Sequence, residues 1–232
     1  MTADAVAAGR RRRALRRSRV IAALVVLVVA VFSLSLMVGQ TFYPPTDVLG
    51  VILGEPVQGA SFTVGRLRLP RAVLAILVGL CFGLGGVTFQ TMLRNPLASP
   101  DIIGITSGAS AAAAFAIVSL SLSETAVSAF AIVVGLAVAL VIYGLSFKGG
   151  VVGTRLILIG IGIAAMLNSV TAYVLSQAAD WDLQAAERWL TGSLNGTSWS
   201  QVAPVLVAIV ILTPVLLGQS RNLSMTQLGD DT

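Results

Sequence analysis

The sequence predicts an all-α fold, a polytopic transmembrane helical bundle of about six transmembrane helices. Three observations predict it. Apolar residues make up 56% of the 232 residues and charged residues only 11%. An ordinary soluble domain carries about a quarter charged residues, and a chain this apolar lacks the polar surface to coat a water-soluble globule. Mean hydropathy is +0.92. The apolar residues also fall into six runs close to the roughly 20 residues that a helix needs to cross a hydrocarbon core.

The first run is Val20–Val38. Before it, residues 1–19 form an Arg-rich tail, and seven of the 15 basic residues lie between Arg10 and Arg19. Such a cluster fits nucleic acid or anionic lipid, or it serves as a topogenic signal that keeps the N-terminus in the cytoplasm. The apolar run that begins at once at Val20 favours the topogenic role. That run is too long for the core of a cleaved signal peptide, and no small-residue cleavage site follows it. The second run is about Arg71–Leu93, the third Ile102–Leu120, the fourth Ala126–Phe147, the fifth Leu156–Gln177 and the sixth Val202–Leu217. Length rather than periodicity separates these runs from buried strands.

Polar connections punctuate the runs. Pro44-Pro45 and Gly54 mark the first, Asn95-Pro96 and Pro100 the second, and Ser121 to Glu124 the third. Lys148-Gly149-Gly150 begins the fourth, and Asp180 to Trp199 is the fifth. Within the last, DLQAAERWL from Asp182 to Leu190 predicts a short helix near the outer interface, with Asp182 as N-cap and Gly192 as terminator. With the tail inside, the inner segments hold 11 basic residues: the seven tail arginines, Arg94, Lys148, Arg155 and Arg221. The outer segments hold four: Arg66, Arg68, Arg71 and Arg188. This asymmetry predicts a multi-pass protein of the cell (inner or cytoplasmic) membrane with a cytoplasmic N-terminus. The expected organisation is a tail over 1–19, a membrane domain over 20–218 and a cytoplasmic tail over 219–232.

What is missing narrows the function. There is no histidine, so neither a Ser-His pair nor a histidine zinc site can form. No phosphate-binding G-x-x-x-x-G-K-[ST] sequence occurs. No Lys, Arg, Asp or Glu lies inside any of the six runs, which argues against a proton relay at membrane depth. The single cysteine, Cys81, precludes an internal disulfide and reads as a buried, inert hydrophobe. The chain is therefore expected not to be an enzyme, and to use neither cofactor nor metal. A passive pore, or a permease driven by another subunit, survives. In the fifth run, Gly160, Ala164, Asn168 and Thr171 share one helix face. That stripe lines an aqueous path or forms a tight helix interface.

Three motifs carry a family resemblance: RLPR at Arg68–Arg71, QTMLRNPLASPDIIG at Gln90–Gly104, and TSGAS at Thr106–Ser110. RLILIGIGIAAMLNSV at Arg155–Val170 and ERWLTGSLNGTSW at Glu187–Trp199 extend it. Together they resemble the permease subunits of type II ABC importers, which take up iron-siderophore complexes, haem or vitamin B12. The resemblance implies a translocation path for an iron-siderophore or similar metal chelate. Its partners would be cytoplasmic ABC ATPase subunits, an extracytoplasmic substrate-binding protein, a second permease copy and the lipid bilayer, with no nucleic acid. It implies docking of the binding protein at Arg68 and Arg71. It implies a cytoplasmic gate at Asn95, Leu97, Gly153 and Thr154, while the stripe Gly160, Ala164, Asn168 and Thr171 stays a candidate for the path. The segment LSMTQLGDDT resembles the start of an ATPase-coupling helix, with Leu228, Gly229 and Asp230 as coupling residues. Relatives of this kind have about ten helices, so the sequence is expected to cover the N-terminal part of such a permease, C-terminally truncated. Two alternatives stay open: a transport-incompetent fragment that only assembles with ABC subunits, and a passive channel.

Overall fold

The computed structural model describes residues 3–147 and 153–219. The chain divides into two compact units, Met1–Val78 with Leu194–Val207 and Gly79–Ser193 with Ala208–Thr232. The described residues form helices and no strand.

The first unit begins with α1, Ala3–Met37. The Arg-rich segment is helical and continuous with the span, because Arg and Ala are good helix formers and no Pro interrupts them. Residues 20–31 are almost all exposed, as suits a helix whose solvent is lipid. The connection expected to be merely polar contains α2, Pro45–Ile52, with Pro at its first position and Asp47 in its first turn; both features favour a helix start. A single turn α3, Ala60–Phe62, leads into a π-helical turn, Thr63–Arg68, and then into α4, Leu69–Met92. The second span was expected to start at Arg71. Instead a continuous apolar helix runs from Ala60 to Met92. Pro70 reads as a helix boundary, because its ring would clash with the carbonyl four residues earlier. The π-helical turn just ahead widens the helix, and the Leu69 N–H bonds back to the Val64 carbonyl. Leu36, Val48, Ala60, Val64 and Ala72 form the core of this unit, flanked by Phe32, Tyr43 and Leu69. The start of α9, Trp199–Gly218, also belongs here. The Trp199 indole N–H donates to the Gly65 carbonyl at 3.3 Å.

In the second unit a 3₁₀ turn, Pro100–Ile103, precedes α5, Ile105–Val118. Gly104 joins them with φ at 73°, a left-handed conformation that side chains rarely adopt. It is also tightly enclosed: a Cβ there would lie 3.2 Å from the Gly160 carbonyl oxygen and 3.5 Å from the Ala164 Cβ. α6 is Glu124–Ser146, α7 is Gly153–Ser176 and α8 is Asp180–Thr191. Ala113 and Ala116 of α5 pack with Val127 and Ala131 of α6, and Trp189 of α8 joins them. Small side chains let these helices approach closely, the usual means of packing in a membrane. A second cluster unites Ile142 and Leu156 with Phe89, Ile105 and Val138.

Among the described residues, five helices are long and apolar enough to cross a membrane, and α5 is a shorter apolar helix. The six runs thus correspond to five long helices and one of 14 residues. The third is short because the 3₁₀ turn and Gly104 delay its start to Ile105. α8 starts two residues before the expected N-cap: Ala179 occupies the cap, Asp182 sits in the first turn, and Gly192 ends the helix as expected. Cys81 is exposed rather than buried. Its apolar run belongs to a membrane span, whose cover is lipid rather than this chain's own side chains.

Candidate functional site

Three places hold the residues singled out by sequence. The first lies at the end of α1. Arg68 closes the π-helical turn and reaches back 32 residues along the chain. Its Nη1 donates to the carbonyls of Leu36 (2.9 Å) and Met37 (3.0 Å), and its Nη2 to that of Thr41 (2.7 Å). Carbonyls at a helix C-terminus lack intrahelical partners and carry the negative end of the helix dipole, so a guanidinium suits them. The guanidinium also lies over the Tyr43 ring, 5.3 Å from its centroid, a cation–π arrangement. The Tyr43 hydroxyl donates to the Gly59 carbonyl at 3.1 Å and lies 3.4 Å from Thr63 Oγ1, whose hydroxyl can donate to it. Gly39 gives the guanidinium its room: a Cβ there would lie 2.5 Å from Nη2 and 2.9 Å from Cζ of Arg68. Arg66 and Arg71 are exposed and make no hydrogen bond or ion pair among the described residues. The RLPR pair is thus divided, with Arg68 turned onto α1 and Arg71 turned outward. Sequence spacing alone did not reveal this, because the partners of Arg68 lie about thirty positions away. The roles of Tyr43 and Gly39 were missed for the same reason.

The second place is the loop after α4. Arg94 has φ at 51°, and the Asn95 N–H bonds to the Gln90 carbonyl at 3.1 Å. Asn95 Oδ1 accepts from the Leu97 N–H at 2.9 Å, an Asx turn that closes the loop around Pro96. Leu97 is held out into solvent at 85% exposure. An open cavity of about 390 Å³ is lined by Val87, Gln90, Thr91, Arg94, Asn95 and Pro96. Beyond it, Ser99 Oγ caps the 3₁₀ turn by accepting from the Asp101 N–H. Thr106 Oγ1 donates to Asp101 Oδ1 at 2.5 Å, tying the turn to α5. Of the other expected gate residues, Gly153 opens α7 and Thr154 is exposed on its first turn.

The third place is the α7 stripe. Its members do not share one environment. Gly160 is buried and Ala164 half-buried, and both pack on Gly104. Thr171 is buried, its hydroxyl donating to the Leu167 carbonyl at 3.0 Å. Asn168 is exposed. The lower half of the stripe is therefore a helix-packing surface, and Asn168 is the member that presents a polar group away from this chain's packing. Leu228, Gly229 and Asp230 lie outside the described residues.

Residues 26–232 match the model of the FecCD transport family. The chain belongs to the FecCD transport family. It is 39% identical over 206 residues to the achromobactin transport system permease protein of Dickeya dadantii (strain 3937), covering 88% of this chain and 59% of that protein. It is 32% identical over 197 residues to the ferric enterobactin transport system permease protein of Escherichia coli (strain K12), covering 84% and 59%. It is 31% identical over 193 residues to the cobalamin import system permease protein of Halobacterium salinarum, covering 81% and 52%. Among solved structures it resembles an inward-facing conformation of a metal-chelate type ABC transporter, with a TM-score of 0.79 and 25% identity over 92% of this chain and 66% of that one. The chain spans about 59% of the length of the first two relatives. Family membership and the apolar helices together make this FecCD chain a multi-pass membrane protein.

Proposed function

We propose that this FecCD chain is permease material of a type II ABC importer that moves an iron-siderophore or similar metal chelate across the cell membrane. The carrying observation is its similarity, over 88% of its length, to a permease protein of an achromobactin transport system. In this reading the chain has no catalytic site of its own. ATP is hydrolysed on a cytoplasmic partner, a substrate-binding protein delivers the chelate from outside, and a second permease copy completes the path. The N-terminus lies in the cytoplasm, supported by the excess of Lys and Arg on that side.

The site geometry fits this division of labour. Arg71, exposed and unpaired among the described residues, offers a cation to an acidic binding protein. Arg68 supports docking by holding the segment against α1. Leu97, fixed by the Asx turn of Asn95, serves as the cytoplasmic gate together with Gly153 and Thr154. Asn168, with Gly160, Ala164 and Thr171 behind it, borders the path. Leu228, Gly229 and Asp230 begin the contact with the ATPase.

Reconstitution tests the reading. The chain is placed in proteoliposomes with a cytoplasmic ABC ATPase and a siderophore-binding protein, and accumulation of radioactive ferric siderophore is followed. Uptake that needs both ATP and the binding protein is expected. Assembly of the subunits without uptake would favour a fragment that only associates, and flux without ATP would favour a passive channel.

A further inference from the structure

The seven arginines of α1 form a ring rather than a face. At about 100° per residue, Arg10, Arg13 and Arg17 fall on one side of the helix. Arg12, Arg16 and Arg19 fall on the opposite side, with Arg11 between. All seven are exposed. Only Arg13 makes a hydrogen bond, a long one of 3.4 Å from Nε to the Gly9 carbonyl, and none forms an ion pair among the described residues.

The position of the ring follows from helix length. Val20 to Met37 is about 27 Å of helix at 1.5 Å per residue, close to the thickness of a hydrocarbon core of about 30 Å. Arg10 to Arg19 adds about 14 Å without a break. With the span in the hydrocarbon, the ring stands at the depth of the lipid headgroups and just beyond. It cannot lie down in the interface as an amphipathic helix does. The only large apolar side chain between Arg10 and Arg19 is Leu15, and arginine occupies every side, so no apolar face exists to bury. The distribution is equally wrong for nucleic acid, whose grooves are read from one side of a helix.

A topogenic signal needs positive charge alone, and lysine supplies it as well as arginine. Here all seven basic residues are arginine, whose planar fork binds phosphate oxygens in pairs. From the encircling geometry, the depth and the free guanidinium groups, we propose that residues 10–19 bind a shell of anionic phospholipid headgroups. The bound lipids would fix the height of α1 in the bilayer. This inference stands apart from the transport reading.

The test uses the full chain purified in mild detergent, where membrane orientation plays no part. Retained lipid is counted by native mass spectrometry after exchange into equimolar phosphatidylglycerol and phosphatidylcholine. The wild type is expected to retain phosphatidylglycerol preferentially. Arg10→Gln, Arg13→Gln and Arg17→Gln together remove one side of the ring and should cut that preference about tenfold or more. The corresponding Arg→Lys triple should keep an intermediate preference, since charge remains but the fork is lost. The substitutions lie outside the hydrocarbon, and an unchanged thermal transition in zwitterionic detergent confirms that the variants fold. Equal retention of the two lipids by the wild type overturns the proposal, as does an unchanged preference in the Gln triple. Single-stranded RNA that displaces phosphatidylglycerol at a lower concentration than the lipid itself binds would also overturn it.

Discussion

Replacing Arg68 by alanine removes three hydrogen bonds to the end of α1 and one cation–π contact. The bonds to Leu36 and Met37 are part-buried and the bond to Thr41 is exposed. A hydrogen bond from a charged donor contributes about 1.5–3 kcal/mol when shielded from water. A cation–π contact contributes about 0.5–1 kcal/mol at an exposed site. Arg68 is half-buried, so water substitutes for part of what is lost, and the net loss is about 2–3 kcal/mol, below the simple sum. That loss acts locally, on the junction between α1 and α2. The Tyr43 N–H, which donates to the Met37 carbonyl at 3.0 Å, reports on it. At about 1.4 kcal/mol per tenfold, its hydrogen exchange should quicken about 30- to 150-fold. Exchange is measured on the chain in lipid nanodiscs, with Arg71→Ala as the control that leaves the rate unchanged. Gly39→Ala should reproduce much of the effect, since the new methyl occupies the space of the guanidinium. Exchange of the Tyr43 amide less than threefold faster in Arg68→Ala would refute the bracing role.

Three further outcomes are expected. Gly108→Ala places a Cβ 2.8 Å from Val138 Cγ2 and 3.0 Å from its Cβ; it should cost about 1–3 kcal/mol, read as a lowered thermal transition in detergent, and Val138→Ala should restore most of it. Asn95→Ala removes the acceptor of the Leu97 N–H and should cost about 1 kcal/mol, so that exchange of the Leu97 amide rises about fivefold, while Asn95→Asp, which keeps an acceptor oxygen, leaves it near the wild-type rate. If the docking proposal holds, Arg71→Glu weakens association with the binding protein by about tenfold or more at low salt. That loss should shrink as salt rises in surface plasmon resonance, and a salt-independent loss would point to misfolding instead.

Most of the membrane architecture was legible in the sequence, because it depends on local properties. A run such as Ala126–Phe147 is long, apolar and bounded by polar residues, and α6 follows it within two residues at its start. The short helix after the fifth run was legible from its charges and from Gly192. The illegible parts depend on contacts distant in sequence or on backbone forms without a strong residue signature. Pro70 and the charges Arg66 and Arg68 mimic a boundary, yet a π-helical turn carries the helix through them. The stripe on α7 looked uniform, but Gly104, distant in sequence, packs on Gly160 and Ala164 while Asn168 stays exposed. Arg68 and Arg71 looked like a pair because they share a motif. Their separation rests on the C-terminal carbonyls of α1, which no spacing rule brings to them.

The π-helical turn between Thr63 and Arg68 also acts as a phase shifter. A π turn holds one residue more than an α turn, so it sets the rotational setting of everything that follows against everything before. Winding the same residues as plain α-helix would turn α4 by about 100° about its own axis. Ala72, Leu74 and Leu77, now buried, would swing outward together. The wide turn thus absorbs one residue on behalf of a whole helix of 24 residues, and a one-residue deletion within it would restore α winding while leaving the buried face of that helix in place.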